Sequence, residues 1–420
     1  MKKIPTRFLL VSITFSLTLL LYIDRVGISA AKAAIGEDLD LTDTQMGWVM
    51  SAFALGYALF QIPSGMMADK LGPRKAIALI VSIWSVFTLL TGAAWSYLSM
   101  LTMRFLFGAG EAGAFPSISR ANFTWIPLNE RGIVTGINFS GSRLGAAFAF
   151  PLVTWMITSF GWRPGFYLMG SIGLIWAFFW YRWFRNLPED HNGVDDEETS
   201  YILETRQKTQ GEGGRLPFIN QLKNLNIWLA MAQYFGSNFI FFFCLTWMFP
   251  YLTERFEISV SEASLYAMLP LIAGAVGNWF SGGLVDWIFK KGKWKWSRSI
   301  PAICGFTLVG LGIIIILTSG TVELAVLGLS IAVFGADMTL SPSWSFCIDI
   351  GKDNAGAISG TMNMAGNIGS VLTGIAFPYL ALWTGTSDTF FVISGILVGF
   401  SIVAWMFMDS SKEVSANGEL

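Results

Sequence analysis

Long apolar stretches separated by short polar turns fill this chain from residue 8 to residue 408. A run of roughly 18 or more apolar residues has the length of a helix that crosses a bilayer. The pattern predicts twelve such helices, at 8–30, 46–68, 76–96, 98–121, 132–157, 165–184, 227–252, 263–287, 299–319, 322–347, 354–380 and 388–408. A transmembrane barrel would show alternating segments of roughly ten residues instead. The expected fold class is therefore an all-α membrane protein. One long polar segment, 185–226, separates an amino-terminal six-helix bundle (1–184) from a carboxy-terminal one (227–408), with a short tail at 409–420.

The two halves repeat each other. Gly65-Met-Met-Ala-Asp69 closes the second predicted helix, and Gly282-Gly-Leu-Val-Asp286 closes the eighth. Phe107-Gly-Ala109 with Pro116-Ser117 in the fourth returns as Phe334-Gly-Ala336 with Pro342-Ser343 in the tenth. Asn138-Phe-Ser-Gly141 in the fifth returns as Asn363-Met-Ala-Gly366 in the eleventh. Three matches in one order indicate a duplicated unit, the plan of an alternating-access carrier with its site near the midplane between the halves. Glycines such as Gly108, Gly110, Gly113, Gly141 and Gly145 suit helices that approach closely and slide.

Composition sharpens this picture. The chain is 53% hydrophobic and 13% charged, with 44 Gly, 35 Phe and 18 Trp among 420 residues, far from a soluble domain. With both termini placed on the cytoplasmic side, 20 of the 27 Lys and Arg fall there, which fixes the orientation by the positive-inside rule. The lysines and arginines of the 182–226 stretch and of Lys290–Arg298, and Arg131, are counted as cytoplasmic. Lys2, Lys3 and Arg7 before an apolar core resemble a signal peptide, but Asp24-Arg25 would interrupt the run before a cleavage site at Ser29-Ala30-Ala31. Cys244, Cys304 and Cys347 have no metal-ligand spacing and imply no disulfide framework.

Charges inside the apolar segments carry the chemistry. Asp24, Arg25, Arg104, Glu111 and Arg143 cost several kcal/mol each in hydrocarbon unless they face a polar interior with partners. Together they sum to +1 with both acids ionised, attractive to an anion. A guanidinium pairs bidentately with carboxylate at any physiological pH, which suits Arg25 to that role. Arg104 and Glu111 lie seven residues apart, about 10 Å along a helix with nearly one azimuth, so both can face one cavity. Arg143, between Gly141 and Gly145, reads as a structural partner to an acid or backbone. Tyr234 and Trp247 can stack on a sugar ring. Asp337 can be a further titratable group, a sodium ligand or a residue of the polar layer. Arg120 and Asp349 are expected to snorkel at helix ends, Trp162, Trp247 and Trp383 to sit in interfacial belts, and His191 to be solvated.

The stretch Gly65-Met-Met-Ala-Asp69-Lys70-Leu-Gly72-Pro-Arg74-Lys75 resembles the loop motif of the major facilitator superfamily. Asp69 beside Gly72 and these cations can latch helix ends and break as the inner face opens. At Asp286 the following Trp287 replaces the basic residue, which suggests a weaker second latch. Within that superfamily the chain is similar to the anion:cation symporters, which include bacterial carriers of sugar acids and vesicular glutamate and sialic acid carriers. The likeness rests on Tyr22-Ile-Asp24-Arg25, Gly56-Tyr57 with Gln61-Ile-Pro63, and Arg104 through Glu111-Ala-Gly-Ala-Phe-Pro116. It continues through Asn129-Glu-Arg-Gly132, Gly141-Ser142-Arg143-Leu-Gly145 and Asn363-Met-Ala-Gly-Asn367.

The resemblance implies the major facilitator fold, carboxylate binding by Arg25, and proton-linked acids at Asp24 and Glu111. It also implies a sugar-acid site lined by Tyr57, Ser142, Asn363 and Asn367. Ser142 stands where the galactonate carrier has glutamine, which points away from galactonate. Met50 stands where vesicular glutamate carriers have histidine, which points away from glutamate. Glu111 is the expected principal proton site and Asp24 the second, with a fixed salt bridge as the plainer role for each.

The expected function is proton symport of an organic anion by alternating access, a hexuronate (glucuronate or galacturonate) first. The alternatives are an aldonate or aldarate (galactonate, gluconate, glucarate), sodium coupling, exchange, or a channel or receptor. Nothing resembles a selectivity filter or a nucleophile with its base, so no enzyme is expected. No cofactor, metal or nucleic acid is implied. The partners are the bilayer of a bacterial inner membrane, an anionic small molecule and a proton, and the chain is expected to be monomeric.

Overall fold

A computed structural model describes residues 4–207, 218–412 and 414 of the chain. Lys2, Lys3, Lys208 and Arg215, counted above by sequence, lie outside the described residues, as does most of the 409–420 tail. The fold is all-α. In the first half the helices are α1 (Thr6–Ala30), α2 (Lys32–Asp38), α3 (Asp43–Leu71), α4 (Pro73–Gly92), α5 (Tyr97–Glu111), α6 (Ala114–Trp125), α7 (Arg131–Phe160) and α8 (Trp162–Trp183). The central segment carries α9 (Asp196–Thr205) and α10 (Phe218–Gln221). The second half holds α11 (Leu225–Thr246), α12 (Met248–Phe256), α13 (Val260–Lys290), α14 (Trp294–Thr318), α15 (Val322–Met338), α16 (Leu340–Gly351), α17 (Ala355–Thr384) and α18 (Asp388–Phe407).

Local chemistry sets several boundaries. Thr42 and Gln45 form a reciprocal capping box at the start of α3, and Ser259 with Glu262 does the same for α13. Gly72, at φ +75°, reverses the chain after α3, and Pro73 opens α4 at a position that needs no amide donor.

Three predicted helices are broken, and two of the breaks are repeat-related. The segment read as 98–121 divides after Glu111, and the segment read as 322–347 divides after Met338. Pro116 and Pro342 explain both. A proline four residues on clashes with the carbonyls of Ala112 and Met338 and gives them no donor, so each helix restarts with its proline in the first turn. Ser281 Oγ donates to the Met338 carbonyl that Pro342 leaves free. The segment 227–252 also divides, at Trp247. Among the described residues eight stretches have the length and hydropathy of a membrane span, and one of them, Val322–Thr384, runs over three helices.

The chain forms two compact units. One comprises residues 1–127, 144–213 and 351–360, and the other 128–143, 214–350 and 361–420. Both α7 and α17 are thus divided between units. The internal packing repeats, with α3 against α5 and α4 against α8 in the first unit, and α13 against α15 and α14 against α18 in the second.

Candidate functional site

The first unit gathers Asp24, Arg25, Tyr57, Arg104 and Glu111. Gly56 and Gly108 bring them together, because α3 and α5 touch backbone to backbone there. A Cβ on Gly56 would stand 2.1 Å from the Phe105 carbonyl, and one on Gly108 2.1 Å from that of Phe53. This approach sets Phe53 and Tyr57, one turn apart on α3, beside Arg104 and Phe107 on α5. The Arg25 guanidinium forms a salt bridge with Glu111 through Nε and Nη2. Its central carbon lies over three rings, with Tyr57 at 4.5 Å, Tyr22 at 4.9 Å and Phe53 at 5.2 Å. Glu111 is fully buried, and its second oxygen, Oε2, has no hydrogen-bond partner.

Arg104 differs. It is 2% exposed, its guanidinium lies 4.5 Å from the Phe107 ring and 5.4 Å from Phe53, and its Nε has no hydrogen-bond partner. Among the described residues no carboxylate comes within ion-pair distance of it. The sequence placed Arg104 and Glu111 on one face; the structure gives Glu111 to Arg25 and leaves Arg104 among rings. Asp24 is 1% exposed, accepts from Trp84 Nε1 at 3.1 Å and has one oxygen, Oδ1, without a partner. Trp84 was missed in the sequence. A buried indole N–H needs an acceptor, and that demand was the available signal.

The second unit holds the other predicted residues. Arg143 has an acid partner within this unit, as expected of a structural residue. It forms a bidentate pair with Asp337, 2.7 Å from Nε and 2.5 Å from Nη2, with the Phe241 ring 3.7 Å from the guanidinium. Gly274 admits this pair, since a Cβ there would lie 2.1 Å from an Asp337 oxygen. Asp337 is therefore an ion-pair partner rather than a residue of a polar layer.

The polar residues of this unit are engaged to different degrees. Ser142 Oγ is buried without a partner, and Asn367 Nδ2 donates to the Asn363 carbonyl at 2.7 Å. Tyr234 is committed to packing, its hydroxyl accepting from Trp344 Nε1 at 2.9 Å. Trp247 lies 5.3 Å from the Phe377 ring, with its indole N–H buried and unpartnered.

The repeated Gly-Asp motifs hold helix starts. Asp69 accepts from the amides of Gly356 and Ala357 at 3.0 and 2.7 Å, at the first turn of α17. Asp286 accepts from Gly132 and Ile133 at 2.8 Å each, at the first turn of α7. Gly65 and Gly282 permit these contacts, because a Cβ on either would strike the backbone carbonyl of Gly356 or Gly132. The cations beside Asp69 do not pair with it. Arg74 donates to the Tyr181 carbonyl at 3.0 Å and lies over that ring, and Asn186 accepts from the Arg74 amide at 3.0 Å. No ion pair of Lys70 or Lys75 is found among the described residues. The cation near Asp69 is Arg120, at 3.9 Å, itself paired with Asp353 at 2.8 Å.

Several expectations of solvation are overturned. Arg120 does not snorkel. Asp349 is fully buried and bridges Arg131 and Arg298, and also accepts from Trp294 Nε1 at 3.0 Å. Arg131 and Arg298, counted with the loop cations, are therefore core residues. Trp162 is 6% exposed and packs edge-on against Phe166. His191 is not free in a loop. It lies 4.9 Å from the Trp183 ring and 5.5 Å from Trp125, and its Nδ1 accepts from the Gly193 amide. Burial, and next the Arg185 charge, push its pKa below the usual histidine value. The adjoining helix α9 is tied to the start of α1, where Glu198 accepts from the amides of Thr6 and Arg7.

The model of the Major Facilitator Superfamily matches residues 14–374. The chain belongs to that superfamily. It is a multi-pass transport protein, related to bacterial carriers of sugar acids and other anions, and not an enzyme. A probable sulfoacetate transporter of Cupriavidus necator is 34% identical, over 100% of this chain and 97% of its own. A probable galactarate/D-glucarate transporter of Escherichia coli is 31% identical over 97% and 95%. A hexuronate transporter of Bacillus subtilis is also 31% identical, over 91% and 90%. The solved human organic anion transporter MFSD10 superposes with a TM-score of 0.72 at 15% identity, covering 96% of this chain and 100% of that one, which supports the fold.

Proposed function

We propose that this superfamily member is a proton-coupled symporter of a small sugar acid with two acidic groups, an aldarate such as galactarate or glucarate. The observation that carries this reading is the charge balance of the first-unit cluster. Arg25 and Arg104 face Asp24 and Glu111, so the cluster is neutral with both acids ionised. A proton on Glu111 releases Arg25, and a second on Asp24 brings the cluster to +2, the complement of a dianion. Anion binding then requires protons, which is coupling in its simplest form. Arg104, with no carboxylate of its own, is suited to the second acid group. The relatives named as probable galactarate/D-glucarate and sulfoacetate transporters bear the names of compounds with two acidic groups, and they support this alternative better than a hexuronate.

In this reading Arg25 and Arg104 bind carboxylates and Tyr57 supplies a hydroxyl. Ser142, Asn363, Asn367 and Trp247 are polar groups for sugar hydroxyls, and Tyr234 supports them as a packing residue. Asp69 and Asp286 latch helix starts, with Gly65, Gly72, Lys70, Arg74 and Lys75 shaping the first latch. Twelve crossings, two six-helix bundles, cytoplasmic termini and a bacterial inner-membrane location belong to the same proposal.

A substrate panel in proteoliposomes tests it. At fixed membrane potential, an imposed proton gradient should drive accumulation of galactarate and glucarate above glucuronate and galactonate, and a sodium gradient should not. Equal uptake of neutral sugars, or accumulation only with sodium, would reject it.

A further inference from the structure

The turn between α13 and α14 reads Lys290-Lys-Gly-Lys-Trp-Lys-Trp296. It joins two candidate spans, Met268–Lys290 and Trp294–Thr318, so it lies where hydrocarbon gives way to water. Gly292, at φ +75°, makes the reversal tight, with the amides of Lys291 and Gly292 returned to the carbonyls of Ile288 and Phe289. A turn this short leaves Lys290, Lys291 and Lys293 all exposed on one rim.

The turn carries an excess of cations, which meet the charge of Asp286 at Lys290 and of Asp409 at Lys295. From Trp287 to Val322 the chain contains no acidic residue. Among the described residues, none of these three lysines has a carboxylate within ion-pair distance. Trp287 and Trp296 are 56% and 48% exposed. The Lys291 ammonium sits 3.4 Å from the Trp287 ring centroid, and that of Lys295 5.8 Å from Trp296. Trp294 turns the other way, its Nε1 committed to Asp349. Two outward indoles beside three ammonium groups that make no ion pair among the described residues provide an apolar face for acyl chain and glycerol, with N–H and N⁺–H donors beside it.

We infer that this turn is a binding site for the phosphate headgroup of an anionic phospholipid. A soluble anion would use the lysines alone. The half-exposed tryptophans between two spans fit a ligand that also presents hydrocarbon, which selects the lipid. The site lies one helical turn beyond Asp286, so an occupied headgroup braces the end of α13 from which Asp286 holds α7.

Native mass spectrometry of the full-length protein, titrated with phosphatidylglycerol and with phosphatidylcholine of the same acyl chains, tests the assignment. Phosphatidylglycerol should bind about tenfold or more tightly, since each lysine near a headgroup contributes about fivefold. The triple variant K290Q/K291Q/K293Q should bind the two lipids alike, while Lys→Arg at the same positions and K223Q elsewhere should keep the preference. Equal binding by the wild-type chain, or an undiminished preference in the triple glutamine variant, would overturn the proposal. Displacement of the lipid by excess inorganic phosphate would also overturn it, by showing that a soluble anion suffices. None of these readouts depends on which substrate is carried.

Discussion

Asp69 and Asp286, 217 residues apart in the chain, hold the same structural position. Each carboxylate accepts the second and third amides of a helix, α17 for Asp69 and α7 for Asp286. Those amides are among the four that a helix start leaves without internal partners, and a carboxylate there also meets the positive end of the helix dipole. Trp287 in place of a basic neighbour therefore does not weaken the second contact, because in both copies the partner is backbone. Asp286→Ala and Asp69→Ala should each destabilise the protein by about 1–2 kcal/mol, read as a lower melting temperature in detergent. Asp→Asn should recover part of that loss, and two unchanged melting curves would remove the latch role.

Arg25→Ala should abolish uptake of an acidic sugar while the protein still reaches the membrane. Arg25→Lys should also transport poorly, since one ammonium cannot reproduce the planar fork and its contact with three rings. Initial uptake rates at matched expression decide it, and wild-type rates in Arg25→Ala would end the carboxylate-binding reading.

Glu111→Gln should lose proton-driven accumulation yet keep counterflow, because the amide imitates the protonated acid and leaves Arg25 free. Its expected signature is a binding affinity that no longer falls as pH rises. A variant that still concentrates substrate under an imposed pH gradient would make the Arg25–Glu111 pair structural.

The buried Arg143–Asp337 pair should behave as a unit. Removing either partner strands a charge in the interior and should cost about 3–5 kcal/mol. Replacing both by apolar groups, as in Arg143→Met with Asp337→Leu, should cost much less than the two losses added. A double-mutant cycle on thermal stability measures the difference, and additive losses would show that the two residues do not act together.

His191 gives a pH prediction with a definite sign. Its folded pKa is lowered from 6.5. Below the unfolded value the unfolded chain binds more protons, so stability falls as the pH drops below about 6.5 and levels off once the folded pKa is passed. It is the single histidine of the sequence. Melting curves between pH 7.5 and 5.5 should therefore show a slope that His191→Phe reduces, with carboxylates supplying any remainder. An identical slope in the variant would place His191 in solvent.

Much of this protein was legible from sequence because the bilayer imposes a one-dimensional rule. Apolar length predicts helices whatever they pack against, and the repeat showed that Asp69 and Asp286, or Phe107 and Phe334, occupy matching places. The two motifs containing Arg25 and Glu111 marked the charges worth attention. Which charges meet was decided only by the tertiary structure. Arg104 and Glu111 share a helix and a face, yet Glu111 reaches across to Arg25. Arg143 finds Asp337, 194 residues away, because Gly274 leaves room for the carboxylate. Arg131 and Arg298 read as loop cations until Asp349 is seen between them. Local sequence fixes where a side chain leaves its helix. The partner depends on how closely two backbones approach, and that is set by residues on the other helix.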